Sequence, residues 1–294
     1  VKGASESLQK LDDILQKLES RGNILGLFIF DMLFLWDFRI LSSFANWQKQ
    51  YSNSFDRWID TVSEYDMLMS MATFAYNERG LTTDAEVFDS DRVVYEAKGL
   101  FHPFLGKKAV RNDFSIVDRN FYIITGANMA GKSTFLRSLG INYILAMNGM
   151  PVFADKFTVG RFNLFTSMRT TDDLTHGISY FNAELLRLKQ ILDSISNPST
   201  SSIDTTHDLN SSQGNSISIL SKEGCGGSLG EYPTLIILDE ILKGTNSEDK
   251  LSGSRMFLEY VSKKNVTGVI ATHDLKLSAM SDEQPDRFHN FCFE

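Results

Sequence analysis

The residues Gly126, Ala127, Asn128, Met129, Ala130, Gly131, Lys132, Ser133 and Thr134 follow directly on the apolar run Phe121-Tyr122-Ile123-Ile124-Thr125. Few folds accept a strand that ends in Gly-x-x-x-x-Gly-Lys-Ser and feeds a helix. The turn aims backbone N–H groups and a helix N-terminus at one spot, which suits a polyphosphate. Lys132 can then reach the outer phosphates, and the Ser133 hydroxyl can ligate magnesium. Nucleotide binding is therefore the first expectation, with Gly126 through Thr134 as the binding loop.

With 294 residues and 42% apolar content, the chain can bury one large core or two modest ones, so a main domain with an appendage is expected. A disordered chain is excluded for most of this length. The net charge of -8 gives no overall electrostatic drive toward nucleic acid, so any DNA contact must be local or made elsewhere. Cys225 and Cys292 are the only cysteines and have no metal-like spacing, which fits a reducing cytoplasm. Residues 1–20 lack the basic start and apolar core of a signal peptide, and the chain starts at Val1, which reads as a fragment with its N-terminal part removed. The apolar stretch from Ile24 to Asp37 is interrupted by Asp31, short of the roughly 18 to 20 apolar residues needed to span a bilayer. A buried helix is expected there.

Leu8, Leu11, Ile14, Leu15 and Leu18 recur at helical spacing, so residues 5–20 are expected to form an amphipathic helix. Two further helices are expected over Phe38–Trp47 and about Phe55–Tyr76, closed by Asn77 to Gly80. Residues 1–80 thus form a helical segment ahead of the nucleotide domain at 81–294. From Ala85 the texture changes to short apolar runs between turn residues. Strands are expected at Arg92–Tyr95, Phe114–Val117, Phe121–Thr125, Pro151–Phe153, Thr234–Leu238 and Val266–Thr272. Helices are expected from the phosphate loop to about Asn148 and over Leu174–Ile195. Residues 197–228 are dominated by Ser, Thr, Asn and Gly and read as a flexible surface insertion. Strands alternating with helices predict an α/β fold with a mostly parallel central sheet flanked by helices.

Leu235-Ile236-Ile237-Leu238 ends in two carboxylates, Asp239 and Glu240. Asp239 can hold magnesium beside Ser133, and Glu240 can orient or activate an attacking water. Phosphoryl transfer needs charge neutralisation and a positioned water, and these residue types supply both. Ala271-Thr272-His273-Asp274 again follows a buried-looking strand, and His273 could sense the γ-phosphate or polarise the water. A phosphate loop, an acidic strand end and a strand-end His in that order point to an ATPase of the ABC type.

In sequence, these segments resemble the MutS family. Thr125 to Thr134 resembles its phosphate loop, in which Asn128-Met129 stands before the closing Gly-Lys-Ser-Thr. Phe165 to Leu174 is similar to the segment that leads into the family's signature helix, and Gly177-Ile178-Ser179-Tyr180-Phe181-Asn182-Ala183-Glu184 to the signature itself. Asp239 to Asn246 resembles the acidic strand end with its following loop. The resemblance covers roughly residues 90–285, interrupted by the polar insertion. Departures are Ala127 and Ala130 where Pro and Gly are usual, Tyr180 at a Thr, Lys243 in an Arg region, and Ala109 where an aromatic often stacks on adenine. The chain also ends at Glu294, short of the family's C-terminal tail.

The resemblance implies an ATP- and Mg2+-dependent ATPase that works as a homodimer, each nucleotide sandwiched between like domains. Lys132 would hold the phosphates, Ser133 and Asp239 the metal, Glu240 the water, and His273 would sense the γ-phosphate. Ser179 reads on its own as a helix N-cap; the resemblance implies that it faces the γ-phosphate of the opposite subunit. DNA, mismatched or branched, and repair partner proteins are implied in the same way. The family's mismatch-probing domain has no counterpart in these residues, and residues 1–80 look like part of its helical core and lever. An alternative is a nucleotide-switched scaffold without mismatch recognition that engages a protein or membrane partner. A transporter-type or chromosome-type ABC ATPase is disfavoured, because Leu251-Ser252-Gly253-Ser254 follows the acidic strand and Gly226-Gly227-Ser228 belongs to the insertion.

Overall fold

The computed structural model describes residues 3–19, 35–127, 129–168, 180–196, 232–242 and 246–293. It divides into two compact units, Val1–Asn77 and Glu78–Glu294. The first unit contains helices α1 (Ala4–Glu19) and α2 (Trp36–Asn77). Two helices were expected within 38–76, but α2 runs through the polar stretch around Gln48 to Ser54 as one 42-residue helix. No Gly or Pro interrupts it, and polar residues are tolerated on a solvated helix face. The Trp47 indole N–H donates to the Ser7 carbonyl at 2.9 Å, and Trp47 sits in a line of rings with Phe44, Tyr51 and Phe55. Among the described residues, no helix is long and apolar enough to cross a membrane.

Among the described residues, the second unit contains two sheets. Strands β1 (Glu86–Phe88), β2 (Tyr95–Leu100), β3 (Asn112–Ile116) and β5 (Lys156–Gly160) form a small mixed sheet in the order β1-β5-β2-β3. The central sheet has β4 (Phe121–Gly126), β6 (Asn163–Ser167), β7 (Thr234–Asp239), β8 (Val266–Ala271) and β9 (Phe288–Phe293), in the order β6-β7-β8-β4-β9. Every pairing in it is parallel, as the alternation of strands and helices predicts. Helices α3 (Lys132–Met147), α4 (Tyr180–Ser196) and α5 (Ser247–Ser262) follow β4, β6 and precede β8, with two single-turn helices, α6 (Leu275–Ser278) and α7 (Met280–Glu283), before β9.

Strand periodicity sorts the core into two layers. Tyr122, Ile124, Leu235, Ile237, Val269 and Ala271 point to one face, where Phe135, Leu136, Leu139 and Tyr143 of α3 and the small sheet cover them. Phe121, Ile123, Ile236, Leu238, Val266 and Ile270 point to the other, against Leu188 and Ile191 of α4 and Phe257, Leu258 and Val261 of α5. Both faces are apolar because both are covered, which is why these strands read as unbroken hydrophobic runs. Asn142 of α3 is fully buried and ties the helix to the segments around Phe101 and Phe153: its amide donates to the Phe101 carbonyl and its oxygen accepts the Phe153 amide.

Several expected elements change. Pro151–Phe153 is not a strand; Val152 makes only an isolated bridge to Thr83. The strand placed at Arg92–Tyr95 begins at Tyr95 and runs to Leu100. Leu251 to Ser254 lies inside α5. The insertion at 197–228, the apolar stretch 24–34 and the first residues of the Leu174–Ile195 helix lie outside the described residues.

Candidate nucleotide site

The register of the parallel sheet brings three strand ends level. Ile124 of β4 pairs with Ala271 of β8, and Ala271 pairs in turn with Asp239 of β7. The phosphate loop, His273 and the Asp239-Glu240 pair therefore emerge from adjacent strands at the same carboxyl edge, where parallel sheets place their ligands. Backbone bonds extend the alignment one residue further: Glu240 N–H donates to the Ala271 carbonyl at 2.9 Å, and Thr272 N–H to the Ile124 carbonyl at 3.0 Å.

The loop is closed by two glycines with different tasks. Gly126 has φ of +146°, and a Cβ there would lie 2.3 Å from the Phe293 carbonyl oxygen of β9. Gly131 has φ of +95° and serves as the N-cap of α3, with open space around it. A left-handed residue at each end lets the chain leave β4, reverse, and enter α3 with its first amides directed at the loop. Met129 sits at the exposed tip, also at positive φ. Asn128 lies outside the described residues.

Lys132, the first residue of α3, is buried, and its ammonium donates to the carbonyls of Gly126 at 2.7 Å and Ala127 at 2.8 Å. It also lies 3.3 Å from His273 Nδ1. On the other side of the ring, His273 Nε2 is 2.8 Å from Glu240 Oε1. An ammonium can only donate, so Nδ1 accepts and the proton of a neutral ring belongs on Nε2, where it meets the carboxylate. Lys132, His273 and Glu240 thus form one continuous chain of polar contacts.

The local structure explains how His273 is presented. The Thr272 hydroxyl accepts the Asp274 amide at 3.0 Å, and the Asp274 carboxylate caps α6 by accepting the Lys276 amide at 2.9 Å. These bonds turn the chain sharply after β8 and leave the imidazole at the strand end. Glu240 needs a different device. Alternation along β7 puts Asp239 on the α3 face with Leu235 and Ile237, and would send Glu240 to the opposite face. A φ of +56° breaks that alternation and turns the Glu240 carboxylate to His273.

Asp239 is 5% exposed, and its Oδ2 is buried without a hydrogen-bond partner. A buried carboxylate oxygen without a donor is costly, which suits an atom that awaits a cation or its water shell. Ser133, half-buried in the first turn of α3, is one of two hydroxyl residues of the loop, with Thr134 beside it. Among the described residues no group of three or more His, Cys, Asp or Glu side chains could hold a metal ion on its own. That fits magnesium, which is usually held by one or two protein oxygens together with phosphate and water.

Sequence reasoning singled out Lys132, Asp239, Glu240 and His273 separately, and the structure brings Lys132, His273 and Glu240 into contact. Ser179, with Lys243 to Thr245 of the loop after Glu240, lies outside the described residues. The sequence marks Glu184 only as the last residue of the signature-like segment from Gly177. Its carboxylate accepts the Leu242 amide at 2.6 Å. One turn before the buried Leu188, it stands as a carboxylate on an otherwise apolar stripe, which was the signal to follow.

The model of MutS domain V matches residues 122–220, a span that starts in β4 and runs past α4. The DNA mismatch repair protein MutS of Shouchella clausii is 26% identical over 254 residues, 84% of this chain and 25% of that protein. That of Acetivibrio thermocellus is 30% identical over 241 residues, covering 79% of this chain and 23% of its own length. That of Thermotoga maritima is 28% identical over 221 residues, 74% of this chain and 23% of that protein. The chain spans about a quarter of the length of these relatives. With the phosphate loop, the level strand ends and these matches in agreement, the chain belongs to the MutS family and carries the region of its domain V.

Proposed function

We propose that this chain binds ATP with magnesium and hydrolyses it, and that the nucleotide cycle switches a dimeric clamp on mismatched or branched DNA. The observation that carries the hydrolytic part is the run of contacts from Lys132 through His273 to Glu240 at the carboxyl edge of the sheet. The relatives named above are DNA mismatch repair proteins, which supports the DNA part.

In this reading the α3 N-terminus and the loop amides receive the phosphates. Lys132 exchanges the carbonyls of Gly126 and Ala127 for phosphate oxygens, so its charge is already aimed at the loop before nucleotide arrives. Asp239 and Ser133 would hold magnesium, which neutralises charge that develops on the phosphates. Glu240 orients the attacking water and accepts its proton. His273 fixes one carboxylate oxygen of Glu240 through Nε2 and touches Lys132 through Nδ1. A shift of Lys132 toward phosphate is therefore felt at Glu240 through a single ring. Ser179 would complete the site of a second subunit, with repair proteins as further partners.

Glu240→Gln separates the steps. A Gln oxygen can still accept the His273 proton, but it is a poor base. Turnover should fall by roughly 100- to 10,000-fold while ATP binding persists and the dimer is trapped. Unchanged steady-state hydrolysis in this variant would refute the assignment of Glu240. Turnover should also respond to mismatched, branched or plain duplex DNA. Indifference to all three would remove the DNA part and leave a nucleotide-switched scaffold.

A further inference from the structure

The turn after β7 is held in an improbable shape. Glu240 and Leu242 both have positive φ, +56° and +58°, although neither is Gly, Asn or Asp. With Met129 of the phosphate loop they make three of the five non-glycine residues at positive φ among the described residues, all at one site. Such strain persists only where surrounding structure over-determines it. The Glu240 amide is held from the sheet side by the Ala271 carbonyl. The Leu242 amide is held from the other side by the Glu184 carboxylate, 58 residues earlier in the chain.

Glu184 belongs to α4, where it precedes Leu188 and Ile191 by one and two turns. Both those residues are buried against the sheet face opposite α3, which fixes the helix and leaves little freedom for the carboxylate that continues their stripe. Ile241 and Leu242, the residues being held, belong to the same apolar layer as Leu188 and Ile191. An apolar side chain would serve packing at position 184 as well. A carboxylate serves the amide of a left-handed residue, and a charged acceptor makes the stronger bond.

We propose that Glu184 is a positioning residue for Glu240: it holds the Leu242 amide and so maintains the left-handed turn that directs the Glu240 carboxylate to His273. The catalytic carboxylate is then tied to α4 as well as to the sheet, and a displacement of α4 is a displacement of Glu240. This rests on the hydrolytic reading of Glu240 given above.

The test compares E184A, E184Q and E184D in the full chain. Gln keeps the acceptor oxygen at the same reach without the charge; Asp keeps the charge but is one methylene too short. Loss of the bond misplaces Glu240 without touching the phosphate loop. In E184A, kcat should fall about 10- to 100-fold while the Kd for ATP stays within about threefold. E184Q should recover kcat to within about threefold of the unmodified chain, and E184D should not. Hydrogen exchange at the Leu242 amide should accelerate in E184A and E184D and stay protected in E184Q. Wild-type kcat in E184A, an equal loss of kcat and ATP affinity, or E184D recovering better than E184Q would each overturn the proposal. If E184A does not fold, the order of E184Q and E184D decides alone. A chain with no ATP turnover in any form would overturn the hydrolytic reading instead, and Leu242 exchange would still report whether Glu184 holds the turn.

Discussion

Asp239→Asn should make the protein more stable and less active at once. The side chain is 5% exposed and its Oδ2 is buried without a donor. Leaving a buried polar atom unsatisfied costs about 1–3 kcal/mol, more when it is charged. Asn keeps the shape and removes the charge but still presents a polar atom, so about 1–2 kcal/mol of that cost should be recovered. For a unit of this size each kcal/mol moves the midpoint by roughly 2–4 °C, which sets an expected rise of about 2–8 °C without nucleotide or metal. With magnesium and ATP the order should reverse, since a ligand that binds only the folded state stabilises it by mass action, and the variant has lost a metal oxygen. The assay is a pair of thermal melts, with and without magnesium and ATP, alongside steady-state turnover. An Asn variant that melts below the unmodified chain without ligand, or one that keeps full turnover, would refute the argument that this orphaned oxygen serves a cation.

Two other outcomes follow from loop and helix geometry. G126A and G131A both place Ala at positive φ, but only position 126 meets the Phe293 carbonyl, at 2.3 Å. G131A should therefore cost about 1–3 kcal/mol from backbone strain alone, and G126A about 2–6 kcal/mol with the displacement of β9 added; urea melts that rank them in the opposite order would contradict this. Burial, with Arg137 as the second cause, holds the His102 imidazole below its ordinary 6.5. The unfolded chain then takes up this proton first as pH falls, so His102 draws stability away as pH drops through 6.5 toward its folded value. R137M should raise the His102 midpoint in an NMR titration, and an unchanged midpoint would remove Arg137 as a cause.

What could be read from the sequence was set by burial. β4, β7 and β8 are covered on both faces, so their residues are apolar without alternation and stand out. β9, Phe288-His289-Asn290-Phe291-Cys292-Phe293, is an edge strand with its middle residues exposed, and its polar letters hide it. β5 and β6 are short, with Lys156, Asn163 and Ser167 at their ends, and tertiary pairing rather than local pattern makes them strands. In α2 the apolar periodicity lapses through the polar residues from Gln48 to Ser54, yet no Gly or Pro there ends the helix, so two periodic stretches belong to one element. In the site, each chemical residue was legible because it follows a buried strand. The contacts were not, since they depend on register across three strands and on the positive φ of Glu240, which no residue type at that position announces.

That last point explains why the carboxyl edge can work as a unit. A parallel sheet delivers its strand ends level but alternates their side chains, so Asp239 and Glu240 would by default face opposite layers. Asp239 keeps the default and lies on the α3 face with the phosphate loop. Glu240 departs from it through one left-handed residue and reaches His273, whose other nitrogen lies against Lys132. The departure has to be held against its own strain, and the bonds that hold it come from two separate elements: Ala271 of the sheet at Glu240, and Glu184 of α4 at Leu242. In the proposed reading, contacts from the α3 layer through Lys132 and His273 and from the α4 layer through Glu184 would therefore converge on the turn from Glu240 to Leu242. A nucleotide that draws Lys132 away and a movement that shifts α4 would act on Glu240 from opposite faces of one sheet.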